Sequence, residues 1–321
     1  MSSPSAMSSP PAMDPATVDF LRRTRTRGRQ PLSGLSVEQA RRFPSWFELL
    51  FGPAPRLATL CDVRIPALDG TTLQARLYAD DPAPDALVVY FHGGGWVLGS
   101  VAAFEPYTAL LAQRTGTAVL SVDYRLAPEH PFPTPVDDAE AALRFGAEQG
   151  QRLLGRPLRR LVVMGDSAGA TLATVAARRL AATPALRGAD LQVLVYPVTD
   201  AGFDTPSYRD FAEGYLLTAD DMRWFWNHYC ADHALRLAPD ASPLRADDLH
   251  LLPPTLLFSA ELDPLRDEGE RYAERLRAAG VDCEMLRCPG VLHSFLAMAN
   301  TLPAARGAFE RICRSMRERL A

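Results

Sequence analysis

The chain predicts an α/β fold: about eight strands, mostly parallel, flanked by helices and carrying a helical insertion. Two observations carry this. Near-continuous apolar runs at residues 87–91, 118–122, 161–164, 191–196 and 255–259 suit strands buried on both faces. Helical stretches at 104–115, 135–149, 168–180 and 268–279 lie between or after them, the alternation that places helices on both sides of a sheet. With 321 residues, 47% hydrophobic and 22% charged, the chain is long enough for one large α/β domain with an insertion.

Taken in order, residues 1–13 are rich in Ser, Pro and Ala and lack the basic start and apolar core of a signal peptide. They read as a floppy leader. Residues 14–50 read mostly as helix. Asp14 before Pro15 makes an N-cap and first-turn pair, and Ser36 with Gln39 makes a capping box. Apolar residues are sparse there, so these helices need another surface to pack on. Alternation over 62–66 and 72–78 predicts half-exposed antiparallel strands, joined by a turn at Asp69-Gly70. A last strand is expected over 283–287. Residues 204–239 interrupt the rhythm. They are helical and rich in aromatics (Tyr208, Phe211, Tyr215, Trp224, Phe225, Trp226, Tyr229), and Thr218 is a natural N-cap for a helix over 219–230. A plain crossover helix with a core face is one reading; the position between two strands favours an insertion that acts as a lid.

Several partners are disfavoured. The net charge is -4 without a basic stripe, which argues against nucleic acid. All 34 basic residues are arginine, so no lysine can serve as a base or Schiff-base former. The five cysteines, Cys61, Cys230, Cys283, Cys288 and Cys313, are odd in number and form no C-x-x-C pair. Free thiols in a reduced, cytoplasmic setting are expected, with no metal and no cofactor. No apolar run approaches the roughly 18 residues of a membrane span.

Residues 165–169 read Gly-Asp-Ser-Ala-Gly, after one apolar run and before an Ala-rich helix. Strand, Gly-x-Ser-x-Gly, helix is the pattern of a nucleophile elbow, which presents Ser167 clear of both elements. A serine hydroxyl needs a base to become a nucleophile. His293 lies in the loop after the last strand and follows the acid candidates, so the order Ser, acid, His is met. Asp263 stands just past the 255–259 strand, where open α/β sheets build sites, with Glu261 the runner-up acid. Asp267 and Glu268 read as the start of the next helix. The loop His92-Gly93-Gly94-Gly95-Trp96 follows the 87–91 strand and has the freedom to aim N–H groups at one point. Together with the N–H of Ala168 it forms a candidate oxyanion hole. His92 reads as a residue that fixes this loop. The block 123–133 reads as structural.

At these residues the chain resembles the bacterial hormone-sensitive-lipase-like (family IV) esterases of the α/β-hydrolase superfamily, in the branch with Gly-Asp-Ser-Ala-Gly. The matching blocks are 92–96, Ser121-Val-Asp-Tyr-Arg-Leu-Ala-Pro-Glu-His130 with Pro131-Phe132-Pro133, 165–169, Asp263-Pro264-Leu265-Arg266-Asp267, and Gly290-x-x-His293-x-Phe295. Ala170 departs from the pattern, where a further glycine is common. The resemblance implies a carboxylesterase using Ser167, His293 and Asp263 through an acyl-enzyme, with Gly94 and Gly95 as the loop's oxyanion donors. It implies short- to medium-chain acyl esters, and Trp96, Phe211 and Leu216 are expected to border the pocket. It further implies leader and cap helices in residues 1–50, a catalytic domain over 51–321 with a cap insertion near 204–240, and a homodimer through the last strand. Amide, lactone or acetylated natural-product hydrolysis on the same triad stays open, as does a non-catalytic binding relative.

Overall fold

The computed structural model describes residues 13–26, 31–42 and 52–321. Residues 1–12 of the expected leader (1–13) and residues 27–30 and 43–50 of the expected helical stretch lie outside the described residues. Helix α1 (Pro15–Thr26) is capped as its sequence predicts, since Asp14 Oδ1 accepts from the N–H groups of Ala16 and Thr17 at 2.8 and 3.0 Å. Before α2 (Val37–Arg42), Ser36 and Gln39 exchange the two bonds of a capping box.

The eight-stranded sheet runs β1-β2-β4-β3-β5-β6-β7-β8. Strands β1 (Thr59–Pro66) and β2 (Thr72–Ala79) are antiparallel, and β2 also pairs antiparallel with β4 (Ala118–Asp123). All other pairs are parallel, through β3 (Ala86–Phe91), β5 (Arg160–Asp166), β6 (Leu191–Val195), β7 (Thr255–Leu262) and β8 (Cys283–Leu292). Side chains alternate faces with the strand period of two. Leu87, Val89, Phe91, Leu161 and Val163 join one apolar layer with helices α4 (Thr134–Leu154), α5 (Ala168–Ala181) and α8 (Arg266–Ala278). Val88, Tyr90, Val162 and Met164 join the other, with α3 (Val101–Thr115) and α9 (Pro303–Leu320). Among the described residues, no helix is long and apolar enough to cross a membrane.

The insertion after β6 contains α6 (Pro206–Asp210) and α7 (Ala219–Tyr229). Thr218 caps α7 and Asp221 completes a capping box. Asp221 also accepts from the Leu32 N–H at 3.0 Å, tying the N-terminal segment to the insertion. Farther along, Arg178 and Arg179 of α5 pair with Asp240, and Arg178 also reaches Asp248 at 3.0 Å. The block at 123–133 is tied into the fold: Arg125 pairs with Asp138 and Asp69, and the Phe132 N–H donates to the Tyr229 carbonyl at 2.8 Å.

The join from β5 to α5 is the tightest place in the fold. A Cβ at Gly165 would overlap the Gly169 carbonyl oxygen, and one at Gly169 would overlap the Phe91 carbonyl oxygen. Both obstacles are backbone and cannot swing aside. Gly169→Ala is therefore expected to cost about 3 kcal/mol in denaturant unfolding. Gly188→Ala, with nothing near its would-be Cβ, should change stability by less than about 0.5 kcal/mol. Equal midpoints for the two variants would contradict this close approach.

Candidate active site

Ser167 alone makes the turn between β5 and α5. Its φ of 53° and ψ of -122° lie outside the regions an L-residue favours, which is strain stored at the turn. Its N–H donates to the Val195 carbonyl at 2.9 Å, and its carbonyl accepts from Ala170 at 3.0 Å. These bonds fix the backbone and leave the hydroxyl free to point away from the helix.

His293 follows β8, and its Nε2 stands 2.9 Å from Ser167 Oγ. Its Nδ1 stands 2.7 Å from Asp263 Oδ2. Since the carboxylate only accepts, Nδ1–H donates to it, and Nε2 of the neutral ring is left to accept the serine hydroxyl proton. All three side chains are buried. Asp263 Oδ1 is held by the Leu265 N–H at 2.9 Å, and Pro264 starts the turn into α8. The insertion grips this loop: Ser207 Oγ donates to the Pro264 carbonyl at 2.7 Å, and the Ser207 N–H donates to Asp267 at 2.8 Å. The runner-up acid Glu261 instead accepts from the Gly290 N–H at 2.7 Å and so ties β7 to the end of β8 that precedes His293. Asp267 and Glu268 stand in the first turn of α8, as their sequence position suggests.

The glycine loop lies over the same corner. Gly94 and Gly95 have φ of 119° and 60°, and the Gly94 carbonyl accepts from Val97 and Leu98. Among the described residues, nothing accepts from the N–H groups of Gly94, Gly95 or Ala168, so these three donors remain available. His92 sits stacked between Phe104 and Tyr124, with Nδ1 2.8 Å from the Gly93 carbonyl. Burial lowers its pKa, so the neutral ring donates Nδ1–H into the loop. Phe225 of α7 packs so closely on Gly95 that a Cβ there would overlap its ring.

The residues expected to border the pocket divide. Trp96 has no exposed surface: its ring stacks flat on Tyr229, with centroids 4.0 Å apart, and meets Trp226 edge-on. These contacts tie the end of the glycine loop to α7. Phe211 is nearly buried against Tyr215, with the Arg266 guanidinium over its face. Leu216 is half-buried, at a φ of 81°. Asp166 and Tyr196 are two further residues of the site that no sequence pattern above assigns a role. Asp166 accepts from Tyr90, Gly93 and Tyr196, and the Tyr196 ring lies 4.7 Å from that of His293. The signal for Asp166 was its place inside the Gly-x-Ser-x-Gly motif.

A family profile described as the alpha/beta hydrolase fold matches residues 88–297. The chain is 40% identical over 295 residues to an ethyl acetate hydrolase of Pseudomonas putida, covering 90% of this chain and 92% of that one. It is 40% identical over 254 residues to a carboxylesterase of Mycobacterium tuberculosis, covering 76% of this chain and 77% of the relative. Among solved structures, a thermostable esterase from Pseudomonas putida superposes with a TM-score of 0.90 at 34% identity, covering 98% of this chain and 99% of that one. A hyperthermophilic esterase from Pyrobaculum calidifontis gives 0.88 at 37% identity, covering 95% and 98%. The chain belongs to the α/β-hydrolase family, in its hormone-sensitive-lipase-like branch of ester hydrolases.

Burial pushes the Asp166 carboxyl up from 3.8 to about 6, against the opposing pull of its hydrogen-bond donors and of His293. Between those values the folded chain holds a proton that the unfolded chain has released. The stability from this group is thus present below about pH 4 and lost as pH rises through about 6. Asp166→Asn removes the titration, so its stability relative to the parent should improve by up to about 3 kcal/mol between pH 4 and pH 7. A difference that does not vary with pH, measured by thermal unfolding, would contradict the shift.

Proposed function

We propose that this esterase hydrolyses short- to medium-chain carboxylic esters through Ser167, His293 and Asp263. The observation that carries the reading is the buried hydrogen-bonded line from Asp263 through His293 to Ser167, together with three N–H groups that have no acceptor among the described residues. Ser167 Oγ attacks the ester carbonyl carbon as His293 Nε2 takes its proton, and Asp263 stabilises the resulting imidazolium. The oxyanion is held by the N–H groups of Gly94, Gly95 and Ala168. Collapse breaks the bond to the alkoxy oxygen, and the imidazolium returns the proton to the leaving alcohol. Water then attacks the acyl-enzyme with His293 again as base, which releases the acid and restores Ser167. The ethyl acetate hydrolase name of one relative agrees with a small acyl group.

The N-terminal helices and the insertion serve together as a cap, and the bond from Leu32 to Asp221 supports that pairing. Phe211 and Leu216 border the acyl pocket from the insertion side. The position of β8 at one edge of the sheet supports pairing of two copies along Cys283–Leu292. Elution of the full chain as a monomer at micromolar concentration would contradict that pairing.

The triad reading is tested by steady-state hydrolysis of p-nitrophenyl butyrate. Ser167→Ala and His293→Ala should each lower kcat by about 10,000-fold or more, and the double variant should be little worse than either, because the residues act as a unit. Multiplicative losses would contradict shared function. An acyl series should peak between acetyl and octanoyl and drop at dodecanoyl. A rate that climbs through dodecanoyl would contradict the small pocket.

A further inference from the structure

Asp166 takes no part in the reaction steps above, yet it bonds to three separate parts of the site. It directly precedes Ser167 and is buried. Its Oδ1 accepts the Tyr90 hydroxyl at 2.5 Å and the Gly93 N–H at 2.9 Å, and its Oδ2 accepts the Tyr196 hydroxyl at 3.2 Å. Tyr90 stands on β3, whose end launches the glycine loop. Gly93 adjoins Gly94. Tyr196 follows β6 and lies against both His293 and Phe295, with ring centroids 4.7 and 5.1 Å away. Tyr196 has a φ of 36°, an unfavourable value for an aromatic residue, and its N–H is tied to the Phe258 carbonyl at 2.6 Å.

We propose that Asp166 is a positioning residue, resting on the triad reading above: it locks the glycine loop to the serine turn and, through Tyr196, sets the ring of His293 against Ser167. The space agrees with this. A Cβ at Gly93 would come 2.5 Å from Asp166 Oδ2, so the carboxylate lies directly against the loop backbone. The chemistry agrees as well. A buried carboxylate is costly unless its oxygens are hydrogen-bonded, and here two oxygens receive three donors. Burial still raises its carboxyl to about 6. An apolar residue would avoid that cost, but it would leave the Gly93 N–H and two tyrosine hydroxyls without this acceptor.

The test uses the full chain with Asp166→Ala, Asp166→Asn and Tyr196→Phe, measuring kcat, KM and the rate of labelling by a fluorophosphonate. The alanine variant should lose about 100-fold in kcat with KM nearly unchanged, the effect of a misplaced reacting group. The asparagine variant should keep most of kcat. Its amide oxygen still accepts from Tyr90 and Gly93, and its amide N–H can donate to the Tyr196 oxygen. Tyr196→Phe should lose about tenfold in kcat alone, a partial form of the same misplacement. An alanine variant with unchanged kcat, a loss confined to KM, or an asparagine variant as poor as alanine would overturn the proposal. If the alanine variant does not fold, unchanged kcat in Tyr196→Phe overturns it. Failure of the parent protein to label at Ser167 would instead overturn the triad reading.

Discussion

Strand β5 and helix α5 meet β3 with backbone against backbone, and the rest of the site depends on that contact. Gly165 faces the Gly169 carbonyl, and Gly169 faces the carbonyl oxygens of Phe91 and His92, with no side chain between. The closeness leaves Ser167 no regular conformation, so it takes a positive φ and its hydroxyl projects outward. The same closeness brings the end of β3 beside the end of β5. The loop that leaves β3 therefore starts next to Ser167, and Asp166 can reach the Gly93 N–H.

The insertion completes the corner from the other side. Phe225 presses on Gly95, Tyr229 stacks on Trp96, and Ser207 holds the loop that carries Asp263. Each contact joins the insertion to a different part of the site. A shift of α6 or α7 would therefore be felt at the glycine loop and at the loop carrying Asp263 together.

Much of this was legible in the sequence because the relevant forces are local. Strands buried on both faces show as apolar runs, and all eight expected strands are present. Thr218, Asp14 and Ser36 cap the helices their neighbours suggested. Boundaries moved where distant groups intervene: α3 starts at Val101, ahead of the expected 104, since Ser100 caps it and Asp123 accepts the Val101 N–H. β8 runs on to Leu292, where its last residue pairs with Leu262 beyond a register shift. The packing of Trp96 is not legible from its place at the end of the glycine loop. Its burial depends on Tyr229 and Trp226, more than a hundred residues away in sequence. The motif marks Asp166 but not its partners, since its three donors come from β3, the glycine loop and the end of β6.

Convergence of the serine turn and the glycine loop on one oxyanion is open to direct test in a crystal structure of the protein inactivated by a small alkyl phosphonate. Phosphorus should be bonded to Ser167 Oγ, with one phosphonyl oxygen within hydrogen-bond distance of the N–H groups of Gly94, Gly95 and Ala168. A phosphonyl oxygen turned away from those donors, or an adduct on another residue, would contradict it.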